Sequence, residues 1–211
     1  MLSYIIKPGV FLFKNALRQD QIEDLITDYS TKSDFFYKPT TKFGKKMTLS
    51  MMCQGWHWDA SDYQYYRCRT DADRKDVEEF PTKFNNIVKD IASLAFPKHN
   101  SSWDIAIWNY YKPGKSKLGI HVDNSESSEE MNKGTPVVSI SLGASCIFQI
   151  GGLKRNDPIE NIKLCHGDVL LFGGPNRMIY HGVSKVLPYD KDDSVSTLLK
   201  GGRLNITLRK M

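Results

Sequence analysis

No two cysteines of this chain stand in a C-x-x-C pair; the four present, Cys53, Cys68, Cys146 and Cys165, are scattered. That spacing argues against a zinc knuckle and offers no disulfide framework. Free thiols suit a reducing compartment, so a cytoplasmic location is expected. Long apolar runs are missing too: none approaches the ~20 residues that a membrane-spanning helix needs. The N-terminal stretch MLSYIIKPGVFLFKNAL is interrupted by Lys7, Pro8 and Gly9, and no small-residue cleavage site follows. Neither a secretory leader nor a membrane partner is therefore expected. Internal repeats and long linkers are lacking as well. With 211 residues, one domain covering 1–211 is expected, large enough to bury a core without staples. A monomer is expected with it.

What is present begins with charge. The chain carries 29 basic against 24 acidic residues, net +5, with an isoelectric point near 8.9. A mild basic excess fits a polyanionic partner such as nucleic acid, and fits a solvated surface equally well. Hydrophobic spacing then divides the chain. Ile22, Leu25 and Ile26 share one face of a helix expected over 20–29, with Asp20 as its N-cap. Phe84, Ile87, Val88, Ile91 and Leu94 recur at helical spacing over 82–95, after Pro81. From residue 103 onward the period becomes two. WDIAIWNYY, PVVSISL, SCIFQI, DVLLF and RLNITLR read as short strands separated by turn residues. Short strands following two helices predict a mainly β fold with flanking helices (α+β), a jelly-roll or cupin-like barrel with one open end.

Candidate ligands cluster at that open end. The H-x-D pattern occurs twice, at His121–Asp123 and at His166–Asp168, so the motif alone is weak. Two histidines and one carboxylate on one face of a metal need a second histidine returning from a later strand. Several expected strands separate Asp123 from His181, enough chain to travel round a barrel; only one separates Asp168 from His181. His166-Gly167-Asp168 is read as a turn into VLLF. His121, Asp123 and His181 are therefore the expected metal ligands. Such a set leaves three coordination positions open, as ferrous iron needs to take a bidentate 2-oxoacid and dioxygen; a structural zinc site would be closed by four ligands. In the terminal GGRLNITLRKM, Arg203, Asn205, Thr207 and Arg209 share one strand face, and Leu204, Ile206 and Leu208 the other. The polar face suits either water or a dicarboxylate, which guanidinium groups bind through paired N–H bonds. Asn109 and Tyr111 share a strand face upstream.

The Arg203-Asn205-Thr207-Arg209 pattern resembles the signature of the AlkB family of iron(II)/2-oxoglutarate dioxygenases. NYYKPGKSKLGIHVD, VVSISLGASCIFQIGGLKRNDP and HGDVLLFGGPNRMIYHGV resemble that family too, over residues 103–211. The resemblance implies a double-stranded β-helix holding Fe(II) on His121, Asp123 and His181. It implies 2-oxoglutarate on Asn109, Tyr111, Arg203, Asn205 and Arg209, with Arg203 on the distal carboxylate, and dioxygen as the other co-substrate. The implied reaction is oxidative demethylation of N-alkylated bases in nucleic acid, as in repair of alkylated DNA, with release of succinate, CO2 and formaldehyde. Transfer RNA or other RNA is the alternative polymer, and a small-molecule or protein oxygenase the more distant one. Residues 38–80 are the implied nucleotide-recognition lid. There Trp56 and Tyr63 would stack on the base, in single-stranded DNA or RNA or one drawn out of the stack. Arg155 resembles a substrate-pocket arginine. In several repair members an acidic residue stands two places after the metal aspartate; here that place is Ser125. LGIHVDNSE is more similar to the branch of the first human AlkB homologue.

Overall fold

A computed structural model describes residues 2–99, 102–189, 191 and 193–211. Its elements run β1 (Leu2–Lys7), β2 (Val10–Lys14), α1 (Gln19–Thr31), β3 (Ser50–Gln54), β4 (His57–Asp59), β5 (Gln64–Tyr66), α2 (Lys83–Ala95), β6 (Ile105–Tyr111), β7 (Leu118–His121), α3 (Ser128–Lys133), β8 (Val137–Gly143), β9 (Cys146–Ile150), β10 (Glu160–Leu164), β11 (Val169–Phe172), β12 (His181–Val186), α4 (Ser194–Leu199) and β13 (Arg203–Arg209). Seven strands form a major sheet in the order β1-β2-β11-β8-β13-β6-β3, and four a minor sheet in the order β10-β9-β12-β7. This is the expected jelly roll, mostly β.

The helices cover the outer face of the major sheet. Leu25, Phe84, Val88 and Ile91 pack there against Trp108, Leu204, Ile206 and Leu208. The inner face meets the minor sheet, where Ile105, Ile107 and Tyr111 pack among Phe148, Ile150 and Val183. Period-two alternation on β6 and β13 thus sends one residue set to the helices and the other into the barrel. All seven residues of β13 are buried, so its polar face meets neither solvent nor a helix but the space between the sheets.

Three local expectations change. Asp20 lies inside the first turn of α1 and pairs with the Arg18 guanidinium; the capping residue is Arg18, whose N–H donates to Gln21 Oε1 at 2.9 Å. In α2 the buried stripe runs through Phe84, Val88, Ile91 and Ala95, leaving Leu94 on its edge and 66% exposed. Residues 2–14, without an expected element, form a hairpin on the edge of the major sheet. Gly9 makes its turn at φ +75°, and a Cβ there would lie 2.4 Å from the Gly173 carbonyl oxygen.

Candidate metal and co-substrate site

β7 and β12 are far apart in sequence but adjacent in the minor sheet, and their register sets His181 directly opposite His121. The two rings lie 4.4 Å apart between centroids. Asp123 follows β7 by two residues. One ligand atom from each of His121, Asp123 and His181 falls within 4.8 Å of the others, the only such group among the described residues. Each imidazole is aimed from behind: Nδ1 of His121 donates to the Gly119 carbonyl at 2.9 Å, and Nδ1 of His181 to that of Ile179 at 3.0 Å. A carbonyl only accepts, so both Nδ1 atoms carry the proton and both Nε2 atoms are free to ligate. Burial, joined by the neighbouring His121, pushes His181 down to about 4, which keeps its ring neutral. Burial opposes the charge on Asp123, yet Arg209 and the two histidines hold its carboxyl well below the usual range. Its Oδ2 is buried without a hydrogen-bond partner among the described residues. Two bare imidazole nitrogens and one unpartnered carboxylate oxygen fit a divalent cation such as ferrous iron.

Beside these ligands a narrow cavity of about 40 Å³ is lined by Asn109, Tyr111, Arg203 and Asn205. Register explains the convergence: Arg203 pairs with Tyr111 and Asn205 with Asn109 across β13 and β6. Arg203 is 1% exposed. Its Nη2 donates to Ser141 Oγ at 3.1 Å, while Nε and Nη1 have no partner among the described residues. An ionised guanidinium with two unsatisfied buried nitrogens is costly, and an anion is what would relieve it. Asn205 is occupied otherwise: its amide nitrogen donates to Ser139 and Ile140, and its oxygen accepts from Thr207. Arg209 is also largely committed. Nη2 donates to Asp123 Oδ1 at 2.6 Å and Nη1 to the Tyr65 hydroxyl at 2.9 Å. So the two arginines of β13 divide their work, one facing the cavity and one holding a metal ligand.

A larger cavity, about 570 Å³, opens on the other side of His121 and Asp123, lined by Trp58, Tyr63, Ser125 and Arg155 among others. Trp58 and Tyr63 are stacked, centroids 5.8 Å apart, and the Trp58 indole N–H donates to Ser125 Oγ at 3.2 Å. Trp56, the ring expected here, does not line this cavity. It packs against the inner core with the Arg67 guanidinium 3.7 Å over it. Trp56 lies in the bend that Gly55 opens at φ +80°, before β4 begins, whereas Trp58 is held within β4 opposite Tyr65 and reaches the wall.

The segment that carries these rings is fastened from within. His57 is fully buried, 2.6 Å from Asp71 Oδ1, and the Tyr37 hydroxyl donates to the same oxygen at 2.6 Å. Burial alone would lower the His57 value, but the neighbouring Asp71 and Cys53 side chains outweigh it and raise it from 6.5 to about 9. A folded-state value above the unfolded one stabilises fully below about pH 6.5 and is lost as pH rises through about 9. The protection of amides over residues 37–71, relative to the intrinsic exchange rate at each pH, is therefore expected to fall between those limits, and His57→Gln to flatten that fall.

A 2OG-Fe(II) oxygenase superfamily model matches residues 9–209. "DNA N(6)-methyladenine demethylase ALKBH1D" of Arabidopsis thaliana is 35% identical over 97% of this chain and 50% of its own length. "Alpha-ketoglutarate-dependent dioxygenase AlkB" of Escherichia coli K12 is 35% identical over 75% of this chain and 71% of its own. A solved structure titled "The structure of OsALKBH1" superposes with TM-score 0.87 at 33% identity, covering all of both chains. The chain spans about half the length of the curated Arabidopsis relatives it matches.

Proposed function

Since the chain belongs to the 2OG-Fe(II) oxygenase superfamily, and within it to the AlkB family, we propose that it oxidatively demethylates N-alkylated bases in nucleic acid, alkylated DNA first. The observation that carries this reading is the position of the His121–Asp123–His181 group between two cavities. The narrow one holds an unsatisfied arginine and the larger one has an aromatic wall.

His121 Nε2, Asp123 Oδ2 and His181 Nε2 would hold the iron. Arg203 would grip the distal carboxylate of 2-oxoglutarate, with Tyr111 and Asn109 alongside. Bound iron with 2-oxoglutarate and dioxygen supplies the oxidation, at the cost of succinate and CO2, and the alkyl carbon leaves as formaldehyde. The protein's own part is placement and exclusion of water. Residues 38–80 act as the base-recognition lid, with the stacked Trp58 and Tyr63 offering a face to the base; such stacking contributes about 1–3 kcal/mol per base. Asp123 is the only carboxylate on the larger cavity's wall among the described residues, and Arg155 and Arg209 are cations there. That balance favours a neutral methylated base, such as the N6-methyladenine in the name of the Arabidopsis relative, over a cationic ring-methylated one. The four free cysteines keep a cytoplasmic location as the reading. No helix of the described residues is long and apolar enough to cross a membrane, and a monomer is the proposed state.

At the cavity mouth a tight turn carries Phe43, 80% exposed, between Lys42 and Lys45. An apolar ring among cations suits insertion beside an unstacked base pair. Phe43→Ala should slow turnover on duplex DNA and spare single strands; equal loss on both would remove that role. The function itself is tested by mass spectrometry of oligomers bearing N6-methyladenine or 1-methyladenine, in DNA and in an RNA stem-loop, after incubation with iron(II), 2-oxoglutarate and ascorbate. Loss of the methyl group from DNA is expected. Turnover confined to RNA would move the reading to an RNA demethylase, and succinate formation with no oligomer changed would move it to a small-molecule or protein oxygenase.

A further inference from the structure

Three buried charges sit behind Asp123, those of Arg177, Arg209 and Glu126, and only Arg209 among them also borders the cavities. Arg209 Nη2 donates to Asp123 Oδ1 at 2.6 Å, and Arg177 Nη1 donates to the Asp123 backbone carbonyl at 2.8 Å. Both guanidinium groups meet the same partner. Glu126 Oε2 lies 3.1 Å from Arg177 Nη2, and its Oε1 lies 3.3 Å from Arg209 Nη1. Tyr65, on β5 in the lid, accepts from Arg209 at 2.9 Å and donates to Glu126 at 3.4 Å. The Glu126 side chain has no exposed surface and lines neither cavity.

We propose that Glu126 is a positioning residue for the metal centre: by holding Arg177 and Arg209 together it makes Asp123 present one free oxygen to the ion. The charge count gives the reason. Asp123 and Glu126 balance Arg177 and Arg209, two against two, and all four are buried. Arg209 can then satisfy Oδ1 alone and leave Oδ2 free. Without the Glu126 charge, two buried cations share a single carboxylate, and Asp123 Oδ2 is their nearest relief. A ligand oxygen drawn into an ion pair is lost to the metal. Tyr65 extends the arrangement into the lid, so one hydroxyl links the base-recognition segment to the metal-holding strand.

The test is Mn(II) affinity of the full chain, titrated anaerobically without 2-oxoglutarate or nucleic acid, for parent and Glu126→Gln. Groups that orient a ligand typically contribute about 10–100-fold in metal affinity, and a loss of that size is expected. Affinity for an unmethylated oligonucleotide, measured without metal, should stay at the parent's level. Should Glu126→Gln not fold, Glu126→Asp substitutes for it. That change keeps the charge but shortens the side chain that spans Arg177 and Arg209, and weaker Mn(II) binding is again expected. Parent-level Mn(II) affinity in whichever variant decides the question overturns the proposal. Because the titration contains no methylated base, its outcome is independent of the demethylation reading, which the oligomer assay decides.

Discussion

Replacing His121, Asp123 or His181 by alanine is expected to abolish the proposed formaldehyde release, while the circular dichroism of the variant should match the parent. The loss should exceed the about 10–100-fold that follows from removing a group merely orienting a ligand, because the ligand itself goes. The fold survives for identifiable reasons. Both histidines sit at the ends of minor-sheet strands whose backbone pairing does not depend on the ring. The core between the sheets is made by Ile105, Ile107, Ile150 and Val183. Asp123→Ala differs from the two histidine changes in one respect. It strips Arg209 of its partner at 2.6 Å and leaves a buried cation with Glu126 alone, so this variant should also unfold more easily. Steady-state assay with thermal unfolding separates the effects: three inactive variants, one of them less stable. Activity near the parent's in any of the three would show that residue not to be a ligand.

Arg203→Met is expected to have opposite effects on the empty and the loaded protein. In the empty protein Arg203 is a fully buried cation whose Nε and Nη1 have no partner among the described residues. Replacing such a group by an apolar one of similar volume is often neutral or stabilising, by about 1–4 kcal/mol at best. The melting temperature without ligand should therefore hold or rise. With 2-oxoglutarate present the sign reverses, because truncating one partner of a buried charge pair costs about 2–5 kcal/mol. That corresponds to on the order of 30-fold or more in the apparent 2-oxoglutarate affinity. Arg203→Lys should recover little, since an ammonium lacks the paired N–H geometry. Thermal shift across a 2-oxoglutarate titration reads both effects in one experiment. An unchanged ligand-induced shift would remove Arg203 from the co-substrate site.

Much of this was legible in the residues, and the exceptions have physical causes. Strict alternation along Arg203–Arg209 foretells two faces, and both are found. Alternation carries no information on depth, so whether the polar face meets water stays open until β8 and β6 flank it. The same strand shows why Arg203 and Arg209 look equivalent in sequence yet differ. Their roles depend on Ser141, Asp123 and Tyr65, all at least 62 residues away from the arginine concerned. His181 was accessible because a barrel must bring a late strand back beside β7. Trp58 was not, because Trp56 falls in the bend before β4 while Trp58 lies within that strand, a boundary the residues do not mark. Glu126 and Arg177 left no signal at all: each is a single charge in a polar loop sequence, and only the fold sets them 3.1 Å apart.

The most direct test of the central claim is a crystal structure of the protein with Mn(II) and 2-oxoglutarate, grown without dioxygen. One ion is expected on His121 Nε2, Asp123 Oδ2 and His181 Nε2, with the distal carboxylate of the diacid against Arg203. An ion held by other side chains, or a diacid lying outside the cavity of Arg203 and Tyr111, would contradict it.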